Sequence, residues 1–596
     1  MNDPVLFDPH DNLTKAAARE SDRPTFPSDG KLPFVREEMV RWLDPVQLAD
    51  TAKKAILSGI FATYADQREV QVALDPNPIY FDYSKSGDGE FWFDYIADVG
   101  DGFDPTYGMA HLLAPPTLKV GEVETKRGEF VILGGDQVYP TASRDEYQNR
   151  LAGPYAAALP YAPAADAPHL YAVPGNHDWY DGLTSFTRLF CQRRWIGGWK
   201  TWQKRSYFAI KLPHNCWLWA IDVQLQSDID EPQKHYFCTM RELMGPDDRV
   251  ILCTAEPTWV YNETQGSDAY DTLRFFETNV LGDVSREVIG LAGDVHCYAR
   301  YESANGHQRF VAGGGGAYLA ATHNLPSELN LPAGSASERY EEKTIYPSRK
   351  RSAALAAGAI GFALWNRYFV VLMGALYLAF ITSVESTSLL QTGWEKYEQS
   401  IAYTMWDMPW VKALQEFAQV SLVSATTMLL FFILLFGLIS YADFKNKLIQ
   451  IAVGATHTAL HVLAIIELTR WLATLNHAVV PASWHWRIVF LFAAEMLVAG
   501  GIVGSMIFGL YYFICAVFFR RHLEHAFSSQ ALTLHKQFCR FRVTADSIDF
   551  YTIGVDSFPD WELRKTAAPD YPNGQQASWY EGEIEPRIID RGSVHK

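Results

Sequence analysis

The sequence lacks the basic clusters and cysteine pairs that mark several common classes of protein. Its formal net charge is -17, with 51 Lys and Arg residues against 68 Asp and Glu residues. Because nucleic-acid phosphates are bound by clustered basic side chains, this balance argues against a nucleic-acid partner. The seven cysteines are scattered and form no Cys-x-x-Cys pair, which argues against a disulfide framework and a zinc ribbon. A reducing compartment fits this cysteine usage best.

The N-terminal region shows neither the basic start nor the apolar run of a signal peptide. Residues 1 to about 30 are polar and rich in Asp, Pro and Ser, which predicts a loose tail. From Pro33 to about Val72, apolar residues recur at helical spacing, and Asp44 with Pro45 is typical of a helix start. This pattern predicts an amphipathic helix that either packs on the protein or lies on a bilayer surface.

Long apolar runs are rare up to about Pro347 and frequent from about Arg367 to Phe519. The second region predicts four transmembrane spans, since each stretch is near the roughly 20 residues that a bilayer crossing needs. We expect these spans at about 368–384, 420–441, 448–468 and 488–519. The last is longer than one crossing requires and should tilt. Glycines in it, such as Gly500 and Gly504, recur at a spacing that permits close helix contact.

Basic residues flank the predicted spans on one side of the membrane if there are four spans. They are Arg349, Lys350, Arg351, Lys445, Lys447, Arg520 and Arg521. Because cytoplasmic loops carry an excess of Lys and Arg, the soluble region and the C-terminal segment are expected to be cytoplasmic. The sequence thus predicts an integral membrane protein with a lipid bilayer as one partner, and a homo-oligomer is compatible with it.

Four regions follow from these patterns. We expect an N-terminal tail and helical region at 1–89, a soluble domain at 90–347, a transmembrane domain at 348–521 and a C-terminal segment at 522–596. The C-terminal segment alternates like two strands around Phe541 and Phe550. An isolated hairpin would be only marginally stable, so we expect it to pack on the soluble domain and extend its sheet.

The soluble domain alternates apolar strands with helical or loop segments, which predicts a layered α/β architecture. The predicted strands are Phe93–Ala97, Phe130–Leu133, Leu170–Val173, Trp217–Ile221, Val250–Thr254 and Val288–Leu291. Active-site loops of such folds lie at the strand ends. Four of these ends carry oxygen or imidazole donors, in the runs Asp98-Val99-Gly100-Asp101, Gly135-Asp136-Gln137-Val138-Tyr139, Gly175-Asn176-His177-Asp178 and Gly293-Asp294-Val295-His296. One such turn is unremarkable, but four in this order indicate a metal site.

These four motifs resemble those of the calcineurin-like metallophosphoesterase superfamily over roughly residues 90 to 325. The resemblance implies a four-layer αββα sandwich, here fused to a four-helix transmembrane domain. It also implies two metal ions and a phosphate-ester substrate. Asp136 would bridge the two metals, Asp98 and His296 would bind the first, and Asn176 would bind the second.

The first motif has Asp98-x-Gly100 where many members have a histidine, and Tyr139 could fill that position. This combination resembles the purple acid phosphatase branch, in which a tyrosinate binds iron. A trivalent ion assists the loss of a phenolic proton far more than Mg²⁺ does. The resemblance therefore implies iron or manganese at the first position. The alternative is that Tyr139 only packs beside the site.

The second metal position departs from the superfamily pattern at two places. Asp294 replaces an imidazole, which favours Mn²⁺ or Mg²⁺ over Zn²⁺. Ala255 stands where a lone histidine is usual, and alanine cannot bind a metal. Glu256 could reach in from the next position, although adjacent strand residues point to opposite faces.

The resemblance also implies catalytic roles. His177 would act as general acid or stabilise the phosphoryl centre, and Asp178 could keep it protonated beside two cations. Arg300 could bind a phosphate oxygen, with Tyr298 lining the same pocket. The glycine run from Ala312 to Tyr318 looks like the closing turn of the superfamily, or is an ordinary flexible loop.

In the membrane region, His457 and His461 lie one helical turn apart, which indicates either a functional intramembrane site or polar packing between helices. With the stretch from Glu524 to Asp556, they resemble a group of membrane-anchored metallophosphoesterases. We expect a membrane-embedded phosphoesterase acting on a phosphomonoester or phosphodiester, including a phospholipid head group. The alternatives are an enzyme for a soluble nucleotide, and a sensor or transport-associated protein with a degenerate, ligand-binding domain.

Overall fold

A computed structural model of the chain describes residues 4–13, 23–62, 68, 71, 77–86, 89–223, 229–333, 336–392, 404–479 and 485–595. These residues form two compact units. The α/β unit comprises the described residues of 1–40, 50–352 and 531–596, and the helical unit those of 41–49 and 353–530.

Most strands of the α/β unit coincide with short apolar runs. In chain order, β1 to β22 are Val5–Phe7, Ile79–Asp82, Glu90–Ile96, Thr117–Val120, Val123–Lys126, Phe130–Leu133, His169–Ala172, Trp195–Ile196, Trp199–Thr201, Phe208–Leu212, Cys216–Ala220, Arg249–Cys253, Glu287–Ala292, Tyr298–Ser303, Gln308–Ala312, Glu328–Ala333, Ala336–Tyr346, Lys536–Thr544, Ser547–Val555, Glu562–Leu563, Tyr580–Glu581 and Pro586–His595. The six predicted strands correspond to β3, β6, β7, β11, β12 and β13.

The three longest α-helices belong to the helical unit. In chain order, α1 to α18 are Pro9–Leu13, Pro45–Ala62, Phe103–Leu113, Arg144–Glu146, Gly153–Ala158, Asn176–Trp179, Thr184–Phe190, Glu231–Glu242, Thr258–Thr264, Asp271–Phe275, Arg349–Ala356, Phe362–Trp365, Arg367–Thr392, Trp410–Val423, Ala425–Tyr441, Lys447–Val479, His485–Ile514 and Leu523–Ser528.

Two large sheets form the α/β unit. The strand order is β22-β19-β18-β3-β6-β7-β9-β8 in the eight-stranded sheet and β1-β2-β10-β11-β12-β13-β15-β14-β17-β16 in the ten-stranded sheet. Strands β3, β6 and β7 are parallel, and so are β11, β12 and β13. Their carboxyl ends therefore meet at one edge of each sheet, where the sequence places its polar turns.

Apolar side chains of both sheets share one buried cluster, in which the Phe310 and Phe541 rings lie 5.8 Å apart. The opposite face of the eight-stranded sheet packs against α3 and α7 through residues such as Leu113 and Phe186. The opposite face of the ten-stranded sheet packs against α8 and α9, with Phe237 in its cluster. Burial on both faces explains why these strands are continuously apolar rather than alternating.

Both ends of the α/β unit join its sheets. Near the N-terminus, Val5–Phe7 pairs in parallel with β2, so the prediction of a loose tail is wrong for this stretch, whose apolar residues complete a sheet edge. At the other end, β18 pairs antiparallel with β3. The buried Arg540 guanidinium donates to Asp94 at 2.6 and 3.0 Å, which joins the C-terminal segment to the first strand of the predicted soluble domain.

In the helical unit, three helices of the described residues are long and apolar enough to cross a membrane: Arg367–Thr387, Lys447–Val479 and Val489–Phe519. Close contact between α13 and α17 depends on glycine. A Cβ on Gly500 would lie 2.9 Å from the Tyr377 Cβ, and one on Gly501 would overlap the Val370 carbonyl oxygen. The sequence prediction of close helix contact at these glycines agrees with this packing.

The predicted second span is not a single straight helix. Helices α14 and α15 meet at an angle of 104°. Ser424 leaves the helical region, with φ -94° and ψ 108°, and its side chain accepts a hydrogen bond from the Thr427 N–H as a new N-cap. The 17 residues of α15 rise only about 26 Å, which is shorter than a bilayer core of about 30 Å. A fourth crossing exists only if both helices count as one span.

Candidate metal centre

The four polar motifs follow β3, β6, β7 and β13 and come together. The Asp98 N–H donates to the Gly135 carbonyl at 2.9 Å, and the Val99 N–H donates to the Asp136 carbonyl at 3.1 Å. Asp98, Asp136 and Asp294 all have positive φ, at 58°, 47° and 64°. Such backbone conformations are uncommon for residues with a side chain and cluster at functional sites.

Asp98, Asp136 and His296 form a group that could hold a metal ion. One ligand atom from each lies within 4.8 Å of the other two, and all three side chains are buried. A mixed set of carboxylate and imidazole donors suits iron, manganese or zinc. Among the described residues, no other group of three or more His, Cys, Asp or Glu side chains meets this spacing.

The Tyr139 hydroxyl lies in the middle of this group. Its oxygen is 3.2 Å from Asp98 Oδ1, 3.1 Å from Asp136 Oδ2 and 3.0 Å from His296 Nε2. Burial and the nearby carboxylates raise the pKa of this phenol well above its ordinary value. It therefore donates a hydrogen bond as a neutral phenol, and a cation of high charge would be needed to ionise it.

The buried carboxylates repel one another. Burial raises the pKa of Asp98 well above its ordinary value, and the charges of Asp136 and Asp294 raise it further. Burial and Asp294 likewise raise the pKa of Asp136 to about 8. Two buried oxygens, Asp98 Oδ2 and Asn176 Oδ1, have no hydrogen-bond partner. Concentrated negative charge with unpartnered oxygen donors fits a bound cation.

The residues predicted for the second metal are Asn176 and Asp294, with Glu256 as a further candidate. Tyr261, on α9, donates a hydrogen bond from its hydroxyl to Asp294 Oδ2. Burial, and then the charges of Asp294 and Asp136, raise the pKa of Glu256 to about 8. Strand alternation does not apply to Glu256, because β12 already ends at Cys253. The role of Glu256 at the second metal position therefore stays a prediction.

The structure does not support the predicted role of Asp178. Its carboxylate accepts hydrogen bonds from the Gly175 N–H at 2.8 Å, the Gln137 N–H at 3.2 Å and the Tyr147 hydroxyl. These donors belong to two of the metal-site loops and to the segment between them. Asp178 thus fixes the loops to each other, since its oxygens are occupied by donors other than the His177 ring.

His177 is held by two other contacts. Its backbone N–H donates to Asp136 Oδ1 at 2.9 Å, and its ring Nδ1 lies 2.7 Å from the Pro140 carbonyl oxygen. A carbonyl can only accept, so Nδ1 carries the proton and Nε2 does not. Burial lowers the pKa of His177 to about 4. The ring is therefore neutral at neutral pH.

Arg300 does not lie ready to bind a phosphate, which corrects the prediction from the sequence. Its guanidinium donates to Asp590 Oδ2 at 2.6 Å and to Gln308 Oε1 at 2.8 Å, and it covers the Phe550 ring. Tyr298 also donates to Asp590, at 2.8 Å. Both side chains are used to fasten β22 to the ten-stranded sheet.

The glycine run after β15 packs directly on the metal-site loop. A Cβ on Gly313 would overlap Asp98 Oδ2. The Gly315 N–H donates to the Ala97 carbonyl at 2.9 Å, and the Ala317 N–H donates to the Asp98 carbonyl at 2.8 Å. This segment is therefore a closing turn with a defined position, and its glycine permits the close approach.

Lys536, at the start of β18, is a site neighbour that sequence reasoning missed. The side chain is fully buried, and burial lowers its pKa to about 7 against the opposing effect of Asp101, Cys297 and Asp98. A lysine in an alternating strand gives no local sign of such burial. Only the pairing of β18 with β3 brings it toward the metal-site carboxylates.

No protein-family model matches the chain, and no curated protein matches it. Among solved structures, a purple acid phosphatase from yellow lupin (Lupinus luteus) seeds is similar, at 12% identity and a TM-score of 0.29. The match covers 42% of this chain and 47% of that enzyme. A likeness of this size carries no argument about function, which depends on the residues of the site.

Proposed function

We propose that the protein is a membrane-embedded, metal-dependent phosphoesterase with a metallophosphoesterase-type αββα sandwich. One observation carries the proposal: Asp98, Asp136, His296 and the Tyr139 hydroxyl converge in a buried site. Burial and neighbouring carboxylates raise the pKa values of Asp98 and Asp136, so a bound cation would be needed to keep both ionised at neutral pH. Hydrolysis of a phosphomonoester or phosphodiester is the reaction that best uses such a site, because bound metal ions can activate water and balance phosphoryl charge.

Asp136 would help to hold both of the proposed metal ions. Asp98, His296 and Tyr139 would complete the first position, where iron or manganese suits the mixed donors and a phenolate favours a trivalent ion. Asn176, Asp294 and Glu256 would complete the second. Since these three offer only oxygen, Mn²⁺ or Mg²⁺ suits the second position better than Zn²⁺.

The remaining residues prepare the site for in-line attack. Asp178 holds the Asn176 loop against Gln137, and Tyr261 holds Asp294. The Pro140 carbonyl fixes the His177 tautomer, so Nε2 is the atom that can take a proton and return it to the leaving oxygen. These contacts position donors before substrate binds, which lowers the cost of reaching the transition state.

A phospholipid or another lipid-linked phosphate is the proposed substrate class, with the α/β unit and the C-terminus in the cytoplasm. Support comes from the apolar helices of the same chain and from the basic residues that flank them. A cysteine-labelling scan across 393–403 tests the orientation. Labelling of this stretch from the cytoplasmic side would contradict it.

Purified full-length protein in detergent tests the activity. With Mn²⁺ or iron, it should hydrolyse p-nitrophenyl phosphate or bis-(p-nitrophenyl) phosphate, and Asp136→Ala should lose both turnover and bound metal by elemental analysis. Asp247→Ala, at an exposed aspartate outside the site, is the matched control and should retain both. Absence of turnover with every metal would leave only the ligand-binding alternative. Comparing phosphatidic acid with nucleotides then tests the substrate class.

A further inference from the structure

Helix α14 carries polar side chains where a membrane-spanning helix would face lipid. It has 14 residues, Trp410–Val423, and meets α15 at an angle of 104°. Its exposed residues include Lys412, Gln415 and Gln419. Charged and amide side chains cost free energy in the hydrocarbon core of a bilayer. A position inside that core therefore suits α14 poorly.

One face of α14 packs against the rest of the helical unit. Ala413 is fully buried and Phe417 is only 3% exposed. The Phe417 ring stacks on the Phe380 ring of α13, with the ring centroids 6.0 Å apart and an interplanar angle of 3°. Residues four positions apart lie on the same face of an α-helix. Protein contacts therefore account for this face.

A second face of α14 is apolar and exposed. Val411 and Leu422 are each 69% exposed, and Leu414 is 42% exposed. Ala418 is exposed as well. Because these residues recur at intervals of three or four positions, they form one row along the helix. We call these four residues the apolar row.

The third face of α14 is polar and exposed. Lys412, Gln415 and Gln419 form this polar row, and Lys412 Nζ lies 4.0 Å from Glu416 Oε1 at its edge. Since each residue turns the helix by about 100°, the polar row lies roughly 90° round the helix from the apolar row. The exposed Val423 is the last residue of the helix and lies beside the bend to α15.

We propose that α14 lies along the surface of a lipid bilayer, with its apolar row in the outer hydrocarbon region and its polar row in water. A helix at that position beside a helical bundle meets protein, lipid and water in three directions, which matches the three faces of α14. The angle of 104° fits, because a helix in the membrane plane is nearly perpendicular to a span. The apolar row is also continuous along the chain with exposed apolar residues of α15, such as Leu429 and Ile433.

Helix α15 would then cross the bilayer without α14. Its 17 residues include no charged side chain, and that length is at the short end of the range for spans, about 17–25 residues. The helical unit would cross the membrane four times, through α13, α15, α16 and α17. This inference rests on the membrane embedding in the proposed function and is independent of the reaction.

The charge of α14 suits a neutral lipid surface. Its charged side chains are Lys412 and Glu416, which are opposite in sign. Helices that need anionic lipid usually carry several basic residues on the polar face. We therefore expect α14 to take the same position in vesicles of phosphatidylcholine alone and in vesicles that also contain phosphatidylserine.

Spin labels on single substituted positions test the proposal in full-length protein reconstituted into phosphatidylcholine vesicles. Oxygen concentrates in lipid and a water-soluble nickel chelate stays in water, so the ratio of their collision rates reports depth. This ratio should be at least about fivefold higher for the apolar row than for the polar row. Labelled protein without a substitution corrects for the native cysteines. The substitutions are Val411→Cys, Leu414→Cys and Leu422→Cys in the apolar row, and Lys412→Cys, Gln415→Cys and Gln419→Cys in the polar row.

Three results would overturn the proposal. If α14 crosses the bilayer together with α15, the ratio should change steadily from position 411 to position 422, without regard to row. If a second copy of the chain covers the apolar row, labels there should be shielded from both collision partners. If the helix lies in water, both rows should be equally open to the nickel chelate.

A matched pair of variants tests the apolar row directly. Leu414→Lys places a charge in the apolar row, and Gln415→Lys places the same charge in the polar row one position away. With the label at position 422, Leu414→Lys should lower the ratio of oxygen to nickel collisions about threefold. Gln415→Lys should leave the ratio unchanged. Equal ratios in the two variants would contradict the proposal.

Labels elsewhere separate this inference from the proposed function. Ile433→Cys and Phe436→Cys, at exposed apolar positions of α15, should report lipid, and Asp247→Cys, at an exposed position of the α/β unit, should report water. If the α15 labels report water, the membrane embedding and this inference both fail. If they report lipid while the two rows of α14 agree, only this inference fails. Asp136→Ala should leave every ratio unchanged, because it alters the reaction and not the membrane contacts.

Discussion

Both units of the chain bury polar atoms without a protein partner, but the surroundings of those atoms differ. In the α/β unit, Asp98 Oδ2 and Asn176 Oδ1 lie among carboxylates at strand ends. In the helical unit, His457 Nε2 and His461 Nε2 are buried beside the aromatic rings of Phe508 and Tyr511. The first setting favours a bound cation, whereas the second surrounds neutral imidazoles with aromatic rings. The nearby charge therefore decides whether an unpartnered atom indicates a metal site.

Removing one carboxylate from the metal site should have the largest effect of the variants considered. Asp98→Asn keeps the side-chain volume but removes a metal-binding charge. We expect kcat/KM to fall at least ~1,000-fold, equivalent to ~4 kcal/mol. Elemental analysis should show less bound metal. The chelator-treated variant should melt at a higher temperature than the chelator-treated parent, because the charge repulsion at the site is relieved. A rate within tenfold of the parent would contradict the assignment.

Substitution of Asp178 should lower the stability of the protein more than it lowers the catalytic rate. Asp178→Ala leaves the Gly175 and Gln137 N–H groups and the Tyr147 hydroxyl without their acceptor. We expect the free energy of unfolding to fall by about 3 kcal/mol, measured by chemical denaturation of metal-free protein. Tyr147→Phe removes one of these donors and should cost about 1 kcal/mol. If Asp178→Ala abolished turnover with unchanged stability, the catalytic role predicted from the sequence would be restored.

The sequence predicted correctly those features that depend on residues close together in the chain. Apolar runs and the polar turns after them predicted β3, β6, β7 and β13, because a buried parallel strand needs a continuous apolar stretch. The side chains of Asp98, Asp136 and His296 meet because those strands are neighbours or face each other across the shared cluster. The order of the motifs along the chain was enough to anticipate a site at this edge.

Sequence reasoning failed where a residue depends on a distant partner or on backbone geometry. Arg300 is paired with Asp590, 290 residues later, so its charge was not free for a phosphate. The bend at Ser424 is invisible to hydropathy, because serine adds little polarity while its side chain caps a new helix. For Glu256, strand alternation gives no direction, because β12 ends at Cys253. The errors at Arg300 and Ser424 both come from contacts that the local sequence pattern does not reveal.

Titration is a further test of the charged site, because the raised pKa of Asp136 predicts a contribution to stability that depends on pH. The pKa of Asp136 is about 8 in the folded protein, against ~3.9 in an unfolded chain. The folded state therefore binds a proton more tightly, and this contribution is full below ~3.9 and is lost as pH rises through about 8. Other groups titrate in this range, so the informative quantity is the difference between parent and Asp136→Asn.

For chelator-treated protein, the stability of Asp136→Asn relative to the parent should increase from pH 5 to pH 8 by about 4 kcal/mol. Denaturation at several pH values measures it. Saturating Mn²⁺ should reverse the order of stability at pH 8, because the ion binds the parent and neutralises its repulsion. A difference that stays constant between pH 5 and pH 8 would show that Asp136 does not titrate there.

Tyr139 lies at the centre of the charged site. Its hydroxyl is either a metal ligand or a hydrogen-bond donor beside the metal. Its hydroxyl is about equally close to Asp98, Asp136 and His296, a position that suits either a metal-bound oxygen or a shared hydrogen-bond donor. Tyr139→Phe should lower kcat about tenfold, or ~1.4 kcal/mol, and leave Mn²⁺-supported stability almost unchanged. If the phenol binds iron, the iron-loaded parent should absorb visible light and the variant should not. A colourless iron-loaded parent with normal turnover would instead assign Tyr139 to packing, and the carboxylates and His296 alone would hold the first ion.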